Sequence, residues 1–137
     1  MATPPHVIEM TVRDYELDLQ GIVNNSVYLN YCEHARHQYM KHLGLDFSAL
    51  HQEGIDAVVT RLEIDYRSSL TSGDRFQVST SLERQGKLRL IFRQKIDRLP
   101  DRLPVIQAVV TATCLCHGRP RIPEVVEKAI TAALSPS

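Results

Sequence analysis

The sequence predicts an α+β domain in which an antiparallel sheet packs on one long helix. Two periodicities say so. Between residues 25 and 43 apolar side chains return every three or four positions, at Tyr28, Tyr31, Cys32, Ala35, Tyr39 and Leu43. From residue 62 onward the period drops to two, in one segment after another, with turn residues between them.

Residues 7–13 read as a first strand, with Ile8, Met10 and Val12 on one face. Residues 14–24 hold three acids, a glycine and two polar residues, and read as a loop. The helix follows. Glu33, His34, Arg36, His37, Lys41 and His42 fall largely opposite its apolar stripe, and Gly44 is a natural stop. A stripe this long must be buried against another layer. Leu62, Ile64 and Tyr66 then alternate with Glu63 and Asp65, and a turn is expected at residues 71–74. Phe76, Val78, Thr80 and Leu82 alternate with polar residues, Gln85-Gly86-Lys87 signals a hairpin, and Leu88, Leu90 and Phe92 continue the pattern. After a turn at residues 99–101, residues 105–116 are apolar on both faces and read as an interior strand. Gly118 and Pro120 end it, and residues 122–134 suit a short helix.

Composition narrows the function. The 137 residues suit one domain and can bury a core without disulfides or metals. Lys plus Arg and Asp plus Glu each number 16, which argues against bulk electrostatic binding to nucleic acid or anionic membrane. No apolar run approaches the roughly 18 residues that span a bilayer. The opening residues are too short and polar for a signal peptide, and Cys32, Cys114 and Cys116 are an odd set of thiols. Both points favour a reducing, cytoplasmic location. Residues 135–137 read as a frayed tail. Cys114, Cys116 and His117 lack a fourth ligand nearby, so neither a metal nor a cofactor is expected.

The segment Val12-Arg13-Asp14-Tyr15-Glu16-Leu17-Asp18-Leu19-Gln20-Gly21-Ile22-Val23-Asn24-Asn25-Ser26-Val27-Tyr28 joins the first strand to the helix. It contains an Asp, two residues, a Gly, two apolar residues, a polar pair and then an aromatic. This resembles the signature of the 4-hydroxybenzoyl-CoA thioesterase family of hotdog proteins. Residues 29–36, residues 61–66 and the Gly73-Asp74 turn fit the same family. Residues 12–37 look especially like its plant and cyanobacterial acyl-lipid branch.

The resemblance implies a hotdog fold, with a five-stranded antiparallel sheet wrapped around the helix. It also implies hydrolysis of an acyl-CoA or acyl-carrier-protein thioester. Asp18 would attack the carbonyl carbon or activate water as a general base. Asp18 also has a plain reading as a turn residue, although it lies too far before the helix for a simple cap. The thioester oxygen would sit at the helix start, near the backbone N–H of Asn25, where amides are unpaired and the dipole is positive. Such a donor contributes about 3 kcal/mol in a transition state. Gly21 would let the backbone approach substrate, and Ile22, Val23 and Tyr28 would line the approach.

Two departures matter. The family often has His where Asn25 stands, and Asn cannot shuttle a proton at neutral pH. It often has a second Asp where Glu16 stands, and Glu16 is expected to be a solvated loop acid.

Arg84, Lys87, Arg89 and Arg93 cluster about one hairpin. They are either a solvated turn or a clamp for the phosphates of coenzyme A or phosphopantetheine. Glu33 and Arg36 are expected to pair along the helix. The last strand of the sheet would leave an exposed edge, so a homo-oligomer is expected, a dimer or a tetramer, with the site at a subunit interface. Two rival readings are a hotdog dehydratase, which needs a His with an acid and finds no His in this loop, and a non-catalytic acyl-thioester binder.

Overall fold

A computed structural model of the chain describes residues 4–134. The tail expected at residues 135–137 and the first three residues of the opening stretch lie outside the described residues.

In chain order the elements are β1 (His6–Thr11), a single 3₁₀ turn (Asp14–Glu16), α1 (Asn25–His42), α2 (Phe47–Gln52), β2 (Ile55–Tyr66), β3 (Arg75–Gln85), β4 (Arg89–Leu99), β5 (Pro104–Cys116), β6 (Arg119–Pro120) and α3 (Glu124–Leu134). The sheet runs β1-β3-β4-β5-β2, all antiparallel, with the two-residue β6 added to β5. The five expected strands are therefore present. The strand apolar on both faces is interior, between β4 and β2. Two short elements escaped the sequence reading, α2 and β6. Each has too few residues to establish a periodicity.

The sheet's inner face buries Phe76, Val78 and Leu82 from β3, Leu90, Phe92 and Ile96 from β4, and Ile106, Ala108 and Val110 from β5. Against it lie Tyr28, Tyr31, Cys32, Ala35, Tyr39 and Met40 of α1. The core has two parts. One surrounds the start of α1 with Val12, Val23, Leu70 and Phe76. The other surrounds its end with Leu50, Leu82, Leu90, Val126 and Ile130, so α2 and α3 close that end. Full burial of each such aliphatic or aromatic side chain contributes roughly 1.5–3 kcal/mol.

β2 is longer than its alternation suggests, and the reason is a bulge. Ile55, Ala57 and Val59 stand opposite Cys116, Cys114 and Ala112; Leu62, Ile64 and Tyr66 stand opposite Val110, Ala108 and Ile106. The apolar side of β2 thus passes from odd to even positions across Thr60, the extra residue in the ladder. Its hydroxyl donates to the Thr111 carbonyl at 3.3 Å. A strict period-2 reading sees only the second half of such a strand.

Deleting Thr60 is expected to turn one half of the apolar stripe of β2 outward. Urea denaturation should show a loss of roughly 1–2 kcal/mol, since the inward apolar side chains of β2 are only partly buried. Unchanged stability would show that the bulge does not set the register.

Candidate active site

The loop between β1 and α1 is held from three directions. The Thr71–Asp74 turn clasps it: Val12 N–H donates to the Asp74 carbonyl at 2.9 Å, Gly73 N–H to Val12 at 3.1 Å, and the Thr71 hydroxyl to the Gly21 carbonyl at 3.0 Å. Ser72 also donates to the Asp14 carboxylate. Leu70 ties the loop to the helix, since its carbonyl accepts from Val23 N–H at 2.9 Å and its N–H donates to the Tyr28 hydroxyl at 3.0 Å.

Glu16 supplies the third hold. Its place in the loop predicts a solvated acid, but it is 9% exposed. Its Oε1 accepts from the Arg13 N–H and from the Tyr31 hydroxyl, each at 2.8 Å. Its backbone carbonyl accepts from Asn24 N–H at 3.1 Å, directly before the helix. Burial holds the Tyr31 phenol above the usual tyrosine range, and the carboxylate it donates to adds to that. Sequence spacing gave no sign of this pairing, because the two residues meet only through the fold.

Asp18 sits at the base of a tight turn. Its Oδ1 accepts from Gln20 N–H at 2.8 Å and from Ile22 N–H at 3.4 Å. Its N–H donates to the Ile22 carbonyl at 2.8 Å, and its carbonyl accepts from Gly21 at 3.1 Å. The plain reading, a residue that closes its own turn, therefore holds for one carboxylate oxygen. Oδ2 makes no hydrogen bond among the described residues. Gly21 has φ +78°, and an added Cβ would meet nothing within 4 Å, so glycine is required here by conformation rather than by crowding.

Asn24 caps the helix. Its side-chain oxygen accepts from Ser26 N–H at 3.1 Å, and its carbonyl accepts from Val27 N–H at 2.9 Å. The N–H of Asn25 has no hydrogen-bond partner among the described residues. The Asn25 carbonyl accepts from the Tyr66 hydroxyl at 3.3 Å.

Several expected site residues lie elsewhere. Val23 and Tyr28 are 1% and 2% exposed and belong to the core, so in the isolated chain they present no surface to a ligand. Ile22 is half-buried in the turn. Arg84 is not free to clamp phosphate. It pairs with Glu127 of α3 and donates to the Lys87 carbonyl at 2.9 Å. Arg93 is bound to Glu83 at 2.8 Å. Arg89 lines a cleft on the outer face of the sheet with Arg61 and Arg93. This hairpin adjoins the core at the far end of α1, so within one chain it does not meet the Asp18 loop. Glu33 pairs with His37 at 3.8 Å rather than with Arg36, which donates to Gln94 at 2.9 Å. Among the described residues, five clefts of about 190–590 Å³ are lined by other residues than Asp18 and Asn25.

An antiparallel sheet curled around one helix, with a carboxylate-bearing loop at the helix start, defines the hotdog class. A hypothetical protein, TT1821, from Thermus thermophilus superposes with a TM-score of 0.85 at 27% identity, over 93% of this chain and 98% of that one. A 1,4-dihydroxy-2-naphthoyl-CoA thioesterase from Synechocystis, Slr0204, shares the fold with a TM-score of 0.88 at 17% identity, over 97% and 100%. The family profile described as the thioesterase-like superfamily matches residues 12–130, and the chain belongs to that family. Among curated relatives, the chloroplastic acyl-acyl carrier protein thioesterase ATL2 of Arabidopsis thaliana is 41% identical over 80% of this chain. The chain spans only 58% of that relative's length.

Replacing Tyr31 with Phe removes a hydroxyl from a buried carboxylate. The expected cost is roughly 1.5–3 kcal/mol, as for hydrogen bonds to charged groups, read from the urea midpoint. Equal stability of Tyr31→Phe and the parent would mean that Glu16 is not held in this way.

Proposed function

We propose that the protein hydrolyses an acyl thioester, carried by acyl carrier protein or coenzyme A, with Asp18 as the reacting carboxylate. One observation supports this reading above the others. Of the first three amides of α1, Ser26 and Val27 are taken by Asn24, while Asn25 is left open at the end of the Asp18 turn. An unpaired N–H at the positive end of a helix dipole suits an oxygen that gains charge. The relative named as an acyl-acyl carrier protein thioesterase, at 41% identity, points to the same substrate class.

In this reading the thioester oxygen rests on the Asn25 N–H. The turn amides hold Oδ1 of Asp18, and Oδ2 faces the carbonyl carbon. Two routes balance. In one, the carboxylate attacks, the C–S bond breaks, the thiolate leaves and water opens the resulting anhydride. In the other, the carboxylate takes a proton from water, whose oxygen attacks the carbon, and the collapsing intermediate expels the thiolate. Asn25 contributes its amide and cannot relay a proton at neutral pH.

The site is completed in this proposal by a second copy of the chain. Tyr15 and Leu19, 77% and 107% exposed, flank Asp18 as uncovered apolar surface, and β2 presents an unpaired edge. Pairing across a two-fold would place the far end of one β2 beside the Tyr66 end of the other. The three free cysteines fit a reducing compartment, the cytosol included.

Asp18→Asn is expected to lower kcat on acyl-CoA substrates by roughly 10²–10⁴-fold while the fold is kept, since the amide still accepts the two turn bonds. Thiol release measures it. A single turnover in ¹⁸O-water tests direct attack, because ¹⁸O enters the Asp18 carboxyl only if an anhydride forms and water opens it at that carbon. Wild-type turnover by the variant would remove Asp18 from the reaction.

A further inference from the structure

Between α1 and the edge strand β2 lies a slot of about 260 Å³. Its walls are Met40, Phe47, Val58, Val59, Phe92 and Ala112, with Glu33, Arg36 and His37 at its rim. The slot continues a lane that begins at the proposed site. Tyr66, whose hydroxyl reaches the Asn25 carbonyl, is followed along the inner side of β2 by Ile64, Leu62 and Val59. Tyr66, Leu62 and Val59 are 47%, 40% and 50% exposed, an apolar strip only partly covered by the described residues.

One polar group interrupts this lane. Arg36 reaches in from α1, and its Nη1 donates to Oε1 of Gln94 at 2.9 Å. Gln94 is 1% exposed, and its Nε2 is spent on the Cys32 carbonyl at 2.9 Å and the Thr80 hydroxyl at 3.0 Å. The sheet register sets Gln94 level with Ala108 and Ile64, two residues in from Tyr66, which is roughly 7 Å of strand. Arg36 forms no ion pair among the described residues, and Glu33 has turned to His37. Burial pushes the guanidinium's pKa down from its ordinary value. An arginine nevertheless stays charged, and it carries five N–H donors, most of them uncommitted here. A saturated chain laid against it would strip water from those donors and return nothing.

We propose that Arg36 is a specificity-determining residue that favours acyl groups bearing an oxygen, as hydroxyl, keto or carboxylate, where the tail passes it on the way into the slot. The inference rests on the hydrolase reading for where the thioester lies. Gln94 anchors one guanidinium nitrogen, so the remaining N–H groups stay near that depth. The preference should therefore depend on where the oxygen sits along the chain. The apolar walls beyond Arg36 take what remains of the tail.

The test compares acyl-CoA pairs of equal length, saturated against hydroxylated, with the hydroxyl moved along the chain. The wild type is expected to favour one hydroxyl position by about tenfold or more in kcat/KM, as a site built to bond an oxygen does. Arg36→Met, which keeps the stem, should lose that ratio, and Arg36→Lys, which keeps the cation, should retain part of it. A wild-type ratio near one at every position overturns the proposal, as does an unchanged ratio in Arg36→Met. Displacement of a fluorescent fatty-acid probe by the matching free acids reads the same preference without turnover. No hydrolysis with the oxygen preference present in binding sinks the hydrolase reading alone. Hydrolysis with no preference sinks the role of Arg36 alone, and the absence of both sinks the two together.

Discussion

A helix begins with backbone N–H groups that nothing inside it can satisfy, and the acceptors around Asn24 decide which of them stays open in this chain. The Asn24 side chain takes Ser26 and its carbonyl takes Val27, so Asn25 is left. That outcome requires Asn24 to be fixed. Glu16 fixes it by accepting from Asn24 N–H, while its own carboxylate is locked between the Arg13 amide and the Tyr31 hydroxyl. Leu70 and the Thr71–Asp74 turn close the other side. The loop that carries Asp18 is thus rigid for reasons that lie in the core and in a turn some fifty residues away in sequence.

The regular elements were legible because their side chains repeat. The stripe from Tyr28 to Tyr39 is buried as its spacing requires, and Phe76, Val78 and Leu82 face inward as alternation requires. Legibility failed where periodicity breaks. The extra residue at Thr60 hid half of β2, and α2 is too short to show a period. The candidate site was legible as a location, because Asp18, Gly21 and the helix start lie within one continuous motif and fold into one turn. Glu16 and Arg36 were misread, and the polar partners of Tyr31 and Gln94 went unread, because those partners are distant in sequence. Charge clustering misled in the opposite way. Arg84 and Arg93 look like a free basic patch in sequence but are neutralised by Glu127 and Glu83 once the hairpin forms and α3 docks.

The two ends of α1 do different work. At its start, polar groups of the loop are consumed in holding geometry, and one amide remains. Toward its end, the side chains of α2 and α3 seal a hydrophobic cluster. Between them the edge strand β2 leaves its inner apolar side only partly covered by α1. This gap would be a liability in a monomer and is a natural place for a substrate chain or a second copy of the protein. Arg36, half-buried and bonded to the buried Gln94, stands in this gap with Glu33 at the same rim but in no ion pair with it among the described residues.

In the proposed reaction the open amide of Asn25 bonds the substrate oxygen. The most direct test is an amide spectrum of the ¹⁵N-labelled protein titrated with an acyl-CoA analogue whose thioester sulfur is replaced by a methylene, so that the carbonyl binds but cannot be cleaved. The Asn25 proton should move strongly downfield as a hydrogen bond forms, while Ser26 and Val27, already bonded to Asn24, should move little. Saturation by the analogue with the Asn25 signal unmoved would contradict the account.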